Sequence, residues 1–562
     1  MKTLDKRIVL VFPKENVIEE NDVYHEKQKA SNDNMNILYN NNFEAYREPL
    51  GLESIATAFR EKEYKVKMFF CELENIEDSV IKRYVDKYCV RFIGISVLFD
   101  RHLEHALILA KKLKNDSTFI LLGGPFVSFS AKSIMKKYGD QIDAIVLGEG
   151  EKTDVDLAEC VYEETDFRDI KGICYRDKNG KVVQNDFERK LNLDQLGFPS
   201  RDFLDKAIEL GYRPKVASIY TSRGCAQRCT FCTGNHFTKY NIGKVWNARS
   251  PKHIVDEIQM LVENYKITYI YICDDNFYGY GEEAYGRVIE ICRLINERKL
   301  HLKFHYEMRV DFVTEKLLME LKSAGFLDIL LGIEAGVQTM LDRWKKGVTV
   351  EQNRLAINLV RKCGLNLKVG FILYDGDTTF EELRENIRFI KDMELYKSNN
   401  ILELLNPMQI FNGSQIMKEK YNGIQENELA EDISGFVKSI SHFPYKIKDR
   451  RVELFWRLIV DKVNQLSLFC DGKVITMIYK NWGNKGKEVF SFVKAYKRFI
   501  RELPYIVIEL LDYVLEQIEQ RRYNNMEENV SEKYDEMIHR YFENGLLDTQ
   551  TNLLQYLQGE RS

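Results

Sequence analysis

The sequence predicts an α/β protein in three parts: a doubly wound parallel sheet, a central partial (β/α)6 barrel and a C-terminal helical domain. Three observations carry this. Short apolar runs alternate with helix-periodic stretches twice over, from Arg7 to Leu147 and again from Val216 to Leu405. Glycines and small residues collect where the apolar runs end. Beyond about Glu426 the apolar residues recur only at helical spacing. Strand–helix alternation places helices on the faces of parallel sheets. The boundaries drawn are 1–160 for the first sheet, 161–212 for a connector with a β-hairpin, 213–425 for the barrel and 426–562 for the helical domain.

In the first part the strands are Arg7–Phe12, Tyr64–Phe70, Phe92–Val97, Thr118–Leu122 and Ala144–Leu147. Between the first two, Leu52, Ile55, Ala56 and Phe59 recur at i, i+3, i+4 and i+7, which is one helix face. A flavodoxin-like sheet of this kind binds ligands at the carboxyl ends of its strands, near the point where strand order reverses. Those ends carry Pro49-Leu50-Gly51-Leu52, Gly94-Ile-Ser96-Val97, Gly123-Gly124-Pro125 and Gly148-Glu149-Gly150-Glu151. Glycine lets backbone approach a bulky ligand, and turn-making alone accounts for any one of them. The loop from Lys14 to Glu48 is long, polar and rich in Asn, and is expected to act as a lid or spacer over the mouth of that site.

In the connector, Gly172–Gln184 reads as a hairpin turning at Asn179-Gly180. Leu196-Gly-Phe-Pro-Ser-Arg-Asp202 reads as an extended crossing. The barrel strands are Val216–Thr221, Tyr269–Cys273, Lys303–Glu307, Asp328–Leu331, Leu367–Leu373 and Ile401–Leu405. The helices are Pro251–Asn264, Glu282–Lys299, Glu315–Ala324, Val350–Cys363 and Phe380–Met393. Six steps are fewer than a closed barrel's eight, so one side stays open to a large substrate, with active residues at the carboxyl ends.

Just after the first barrel strand lie Cys225, Cys229 and Cys232, spaced C-x3-C-x2-C. Three close thiolates can hold three irons of a 4Fe–4S cluster and leave the fourth iron open. A zinc site wants four ligands, and no fourth Cys stands at finger spacing. The other cysteines, 71, 89, 160, 174, 273, 292, 363 and 470, are scattered singly, so no auxiliary cluster is expected and they read as small buried residues. Eleven cysteines, an odd number, fit a reducing compartment. The remaining strand ends carry Asp274-Asp275-Asn276-Phe277, Arg309, Gly332-Ile-Glu334-Ala-Gly336 and Gly370. Each acid taken alone is more often a cap or a salt-bridge partner.

In the C-terminal part Val452, Phe455, Trp456, Ile459 and Val460 share a face, as do Val507, Leu510, Leu511 and Val514. A bundle packed on the barrel's open edge is expected. Lys480, Lys485, Lys487, Lys494, Lys497, Arg498 and Arg501 make a basic stretch, read as a solvated face, with a docking site for an acidic peptide or phosphate as the sharper reading. Arg521–Glu536 is highly charged and is expected to be an exposed helix or flexible join. The net charge of −4 argues against a dedicated nucleic-acid surface. No run of 18 apolar residues exists, so no membrane span is expected. The start lacks an apolar signal core, which points to a cytoplasmic protein, expected to be a monomer.

The cysteine motif, with Phe231 just before its last Cys, resembles that of the radical S-adenosylmethionine (SAM) enzymes. The four glycine motifs resemble the cobalamin-binding domain that precedes many radical SAM cores. The resemblance spans roughly residues 5 to 415. It implies three cofactors: a 4Fe–4S cluster on Cys225, Cys229 and Cys232, SAM and cobalamin. SAM would meet Phe231, Asp274, Asn276, Arg309, Glu334, Gly336 and Gly370. Cobalamin would meet Leu50, Gly51, Ser96, Val97, Gly123, Gly124, Pro125, Gly148, Glu149 and Gly150.

Two departures stand out. The Asp-x-His-x-x-Gly that supplies a lower axial ligand is absent, and His25 stands in Asp-Val-Tyr-His-Glu instead, read as a solvated loop histidine. Tyr374-Asp-Gly-Asp-Thr378 replaces the usual Pro-Gly-Glu-Thr, which leaves that turn's geometry open.

The activity implied is methyl transfer. The reduced cluster would cleave SAM to a 5′-deoxyadenosyl radical, which takes hydrogen from an unactivated carbon of a peptide or other natural product. Methylcobalamin would then deliver the methyl group, and a second SAM would remethylate the corrinoid. The alternative is a radical cyclisation or rearrangement without net methyl transfer, with cobalamin auxiliary or absent. The implied partners are a small-molecule or peptide substrate and an electron donor such as flavodoxin or ferredoxin. A cobalamin sensor with an inert cluster is disfavoured. So is a methylthiotransferase, which would need a further cysteine set before the core and a small β-barrel after it.

Overall fold

Ile8, Val9, Leu10 and Val11 are consecutive and all buried, the signature of a strand covered on both faces. They form β1 (Arg7–Phe12), the centre of a parallel sheet with β2 (Lys65–Phe70), β3 (Phe92–Ser96), β4 (Phe119–Gly123) and β5 (Ala144–Val146). The order is β2-β1-β3-β4-β5, so the chain reverses direction between β1 and β3 and opens a crevice at their carboxyl ends. The computed structural model describes residues 6–15, 48–397, 399–421, 432–441, 443–469 and 486–542. The loop 16–47 with His25 lies outside them.

The connector hairpin does not stand alone. Its strands β6 (Ile173–Arg176) and β7 (Val182–Gln184) extend the first sheet antiparallel to β5. The turn forms where predicted. Asp177 accepts the N–H groups of Asn179 and Lys181, and Gly180 takes φ +80°. A two-residue strand, β8 (Glu188–Arg189), follows.

The second sheet starts with β9 (Val216–Ile219). Three two-residue strands then surround the cysteine loop: β10 (Ser222–Arg223), β11 (Asn241–Ile242) and β12 (Asn247–Ala248). β10 pairs antiparallel with β12, and β11 parallel with β8. The main sheet continues with β13 (Tyr269–Ile272), β14 (Lys303–Arg309), β15 (Phe326–Glu334) and β16 (Asn366–Phe371). All are parallel, in the order β16-β15-β14-β13-β9. The five helices predicted between them form within two residues of each expected end.

The expected sixth strand, 401–405, is a correction to the barrel count. Asn400 Oδ1 accepts the Leu402 N–H and curls the chain, and Glu403–Leu405 is a 3₁₀ turn. The open edge of β16 is closed by the next segment instead. Leu373 donates to the Asn406 carbonyl and Met408 to the Tyr374 carbonyl, each at 2.8 Å.

The C-terminal helices Arg450–Phe469, Gly486–Glu519 and Met526–Phe542 pack beside the helix Phe380–Asp392. Both predicted faces are at work: Val452, Phe455 and Ile459 are buried, and so are Val507, Leu510, Leu511 and Val514. Trp456 meets Tyr374 edge-on, and Arg384–Glu519 and Lys391–Asp512 pair on the outside.

Arg521–Glu536 contains the start of the exposed helix expected there. Met526, Val530 and Tyr534 recur every four residues and are buried, a narrow apolar stripe on a charged helix. Of the basic stretch, Arg498 and Arg501 are exposed. Lys480 and Lys485, with Trp482 and Cys470, lie outside the described residues, as do the side chains of Lys487, Lys494, Lys497 and the aromatics 490–499. Among the described residues no helix is long and apolar enough to cross a membrane.

Candidate active site

The carboxyl ends of the two sheets face each other across one cavity of about 820 Å³, within the usual range for ligand sites. The first sheet's wall is mostly backbone. Leu50, Gly51, Ser96, Gly123, Gly124, Pro125, Gly148, Glu149 and Gly150 all line it. A Cβ built on Gly51 or Gly123 meets no atom within 4 Å, so both backbones border open space. Val97 is a correction. Its side chain is fully buried in the sheet, and its carbonyl lies 2.6 Å from where a Cβ on Gly124 would sit. That contact and φ +113° require glycine at 124. These bare strand ends are the cradle a flat, bulky macrocycle such as a corrin needs, and the residues present fit it.

The second wall is built from side chains. Asp274 follows β13, and its oxygens are spent on the root of the cysteine loop. They accept the Thr221 N–H at 2.6 Å, the Thr221 hydroxyl and the Ser222 hydroxyl at 2.7 Å. Arg287 completes this clamp by donating to the Thr221 carbonyl at 2.8 Å and hydroxyl at 2.7 Å. Burial raises the Asp274 pKa. Asp275, passed over as a candidate, is the carboxylate that faces the loop. Its Oδ2 accepts the Gly224 N–H at 3.2 Å, and its Oδ1 lies 2.6 Å from a would-be Cβ on Gly234. Glycine on both sides of the cysteine trio was the sequence signal for it. Asn276 donates to the Gly279 carbonyl at 2.9 Å, and its Oδ1 is buried without a partner.

Cys225, Cys229 and Cys232 are free thiols, Cys229 buried and the others partly so. Backbone N–H groups of Gln227 and Gly234 reach Cys225 and Cys232. Burial raises the Cys225 thiol and pushes Cys232 up to about 12. Holding a metal requires these thiols to give up their protons. Among the described residues no three His, Cys, Asp or Glu side chains converge tightly enough for a single ion. Three spaced thiols on one loop fit a polynuclear cluster with one corner left to another ligand.

Charged groups collect beside Cys229. Arg309 Nη1 is 3.9 Å from its Sγ, while the same guanidinium donates to Asp311 at 2.9 Å and to the Lys346 carbonyl at 2.9 Å. Buried Lys346, another residue unnoticed in the sequence, pairs with Glu334 at 2.8 Å. Glu334 takes φ +63°, a strained conformation for a non-glycine residue, at the end of β15. Its carboxylate lies 3.5 Å from a would-be Cβ on Gly370 and 2.7 Å from one on Gly332. Phe231 meets Trp344 edge-on at 6.1 Å. Gly336 is a second correction: it is packed against the Phe389 ring, with its N–H held by Asn386 at 2.7 Å, so it serves helix packing instead of this surface. In the turn without proline, Asp375 takes over. It accepts from Asp377 N–H, the Thr378 hydroxyl, the Trp344 indole and Arg343.

Two buried charge networks tie the walls together. Arg223, two residues before Cys225, pairs with Glu151 at 2.6 Å and Glu149 at 3.6 Å. Arg201 of the connector pairs with Glu48 at 2.7 Å and with Glu257, and donates to the Ser218 carbonyl at 2.8 Å. Glu48 in turn accepts the Ser218 N–H at 2.8 Å. Asp154 also lines the cavity. It is buried, one oxygen has no partner, and burial with nearby Glu151 raises its pKa well above the carboxylate range. Cys273 and Cys89 are exposed, unlike the buried Cys71, Cys174, Cys292 and Cys363, and Cys273 faces the cavity.

The B12 binding domain family model matches residues 37–158, and the Radical SAM superfamily model matches residues 219–390. A protein of Pyrococcus horikoshii named as an uncharacterized methyltransferase is 30% identical over 351 residues, 62% of this chain and 74% of that one. The 4′-phospho-dehydrooxetanocin synthase of Priestia megaterium is 29% identical over 381 residues, 64% of this chain. The chain spans only half that relative's length, 50%. Among solved structures, the cobalamin-dependent S-adenosylmethionine radical enzyme OxsB with aqua-cobalamin and S-adenosylmethionine bound has a TM-score of 0.70. It is 20% identical, and the match covers 99% of this chain and 82% of that one.

Proposed function

We propose, from the premise that the chain belongs to the cobalamin-dependent radical SAM enzymes, that it methylates an unactivated carbon of a small-molecule or peptide natural product. The observation that carries this is the single cavity bounded by both sets of strand ends. A substrate carbon held there lies within reach of groups on both walls. When bound, the cofactors supply the radical and the methyl group.

The chain's own residues do the holding. Cys225, Cys229 and Cys232 would carry the cluster. Asp274 and Arg287 fix the root of their loop, and Asp275 holds its first end and lies beside Gly234 at its last. Arg309, Lys346 and Glu334 would bind the charged end of SAM beside Cys229. Gly51, Gly123 and Gly124 leave room for the corrin. Arg223 and Arg201 tie the two walls together. No general acid–base pair is required. The cysteine usage supports a reducing, cytoplasmic setting, and a flavodoxin- or ferredoxin-type protein would supply the electron. Rearrangement without net methyl transfer is the second reading, favoured by the likeness to a relative named as a synthase.

The test is anaerobic reconstitution with iron, sulfide and hydroxocobalamin, then SAM and dithionite, read by mass spectrometry. Methyl transfer yields both 5′-deoxyadenosine and S-adenosylhomocysteine, and a substrate heavier by one CH₂. 5′-Deoxyadenosine without S-adenosylhomocysteine selects the second reading. Neither product, from protein that holds its iron, overturns both.

A further inference from the structure

The cavity does not stop at the strand ends. Leu10 of β1, Gly94 of β3 and Leu121 of β4 stand in register, each two residues before its strand's last, and all three line it. Ile55 of the helix Leu50–Glu61 and Asp154 of the helix Thr153–Glu163 line it as well. The cavity therefore runs back along the sheet beside these two helices, and the walls of this arm are largely apolar.

Asp154 is the polar group there. It is 4% exposed, and its Oδ1 has no hydrogen-bond partner. A Cβ built on Gly150 would lie 3.0 Å from that oxygen and 3.2 Å from Ile55 Cδ1, so glycine at 150 leaves both uncovered. An acid in a helix's first turn ordinarily stands as an anion beside the free N–H groups. Asp154 Oδ1 accepts none of them, and the charge of neighbouring Glu151 is already met by Arg223 at 2.6 Å. Burial and Glu151 raise the Asp154 pKa well above the carboxylate range, so at neutral pH it is a neutral acid with a proton to share.

We propose that Asp154 is a corrinoid-binding residue: its carboxyl O–H donates to a neutral acceptor that the cofactor inserts between the sheet and the two helices; the inference rests on the cobalamin assignment above. A buried O–H without a partner has lost its bond to water, and an inserted acceptor restores it. Apolar walls around one donor favour an uncharged group with a single well-placed acceptor. A corrinoid carries two such groups, the carboxamide arms of its ring and the heterocyclic base of its nucleotide tail. The chemistry at Asp154 is the same for both.

The experiment titrates the ligand-free full chain with hydroxocobalamin and, separately, with cobinamide, which keeps the amide arms and lacks the tail. Absorbance reports binding. Asp154→Ala and the bulkier apolar Asp154→Leu are expected to raise the Kd for hydroxocobalamin about tenfold, as for one lost hydrogen bond. Asp154→Asn, whose amide keeps an N–H donor, should stay within about threefold of the wild type. Iron content after reconstitution should be unchanged in all three variants, because the cysteine loop is untouched. A loss with both corrinoids puts the acceptor on the amide arms, and a loss with hydroxocobalamin alone puts it on the tail. Wild-type affinity in both apolar variants, a loss in Asp154→Asn as large as theirs, or a parallel loss of iron overturns the proposal. A wild type that binds neither corrinoid instead defeats the cobalamin assignment, so the two failures are distinguishable.

Discussion

The two walls of the cavity are made differently. The first sheet offers backbone at its strand ends, with glycine or serine at 51, 96, 123 and 124, and few free charges. The second offers Asp274 and Asp275, bonded to the loop they hold, and behind that lining Arg309, Lys346 and Glu334 gather beside Cys229. The difference teaches how ligand size is matched. A large, preassembled ring needs space and close backbone, so side chains are removed. A cluster built on thiols, with a small zwitterion beside it, needs fixed charges, so side chains are added and cross-braced.

The largest effect should come from the second wall's ligands. Cys225→Ala, Cys229→Ala or Cys232→Ala is expected to abolish 5′-deoxyadenosine formation and lower bound iron, while corrinoid absorbance after reconstitution stays. Loss of both cofactors together would show that the walls are not independent.

Gly123→Leu is the mirror experiment. A Cβ there meets no protein atom within 4 Å, so the added side chain is expected to enter the cavity. Corrinoid retention should fall by at least about tenfold, with iron content and SAM cleavage kept; a filled cavity costs binding and leaves folding alone. Full corrinoid retention would refute the assignment of the bare strand ends.

Arg201→Met attacks what joins the walls. It leaves Glu48 buried without its cation, while Glu257 keeps Arg249. Breaking a buried pair this way costs roughly 3–5 kcal/mol. Denaturant unfolding of the ligand-free chain should show this, and the ratio of 5′-deoxyadenosine to methylated product should rise as the walls lose register.

Asp154→Asn should give the smallest change and sharpens the view of the first wall. The folded-state pKa is raised by burial, so the unfolded chain gives up this proton first. The group's contribution is therefore full below the unfolded carboxyl's pKa of about 4 and is lost as pH rises above it. The variant should match the wild type near pH 4 and exceed it in stability by pH 8, measured on the ligand-free chain. A constant gap across that range would mean that Asp154 ionises normally.

Much of this was legible locally. Alternation of apolar runs marked every strand of the first sheet, since β1 is buried on both faces and admits only apolar residues. The hairpin at Asn179-Gly180 was legible because Asp177 and Gly180 act within five residues. The sixth strand was misread, because Ile401, Leu402, Leu404 and Leu405 are as buried as a strand's residues, and only the Asn400 side chain turns them into a 3₁₀ bend. Arg521–Glu536 was legible as an exposed helix, and only its narrow stripe of Met526, Val530 and Tyr534 was masked by charge.

By itself the sequence determined the cysteine trio and the two sheet domains, since eight residues of one loop, or one buried strand, carry their whole chemical requirement. Only the tertiary structure decided which carboxylate braces the loop and which faces it, that Gly336 serves packing, and that Arg201 and Arg223 lock the two walls together. Those roles depend on partners 50 to 150 residues away along the chain, such as Thr221 for Asp274 and Glu48 for Arg201, and no local spacing records such a meeting.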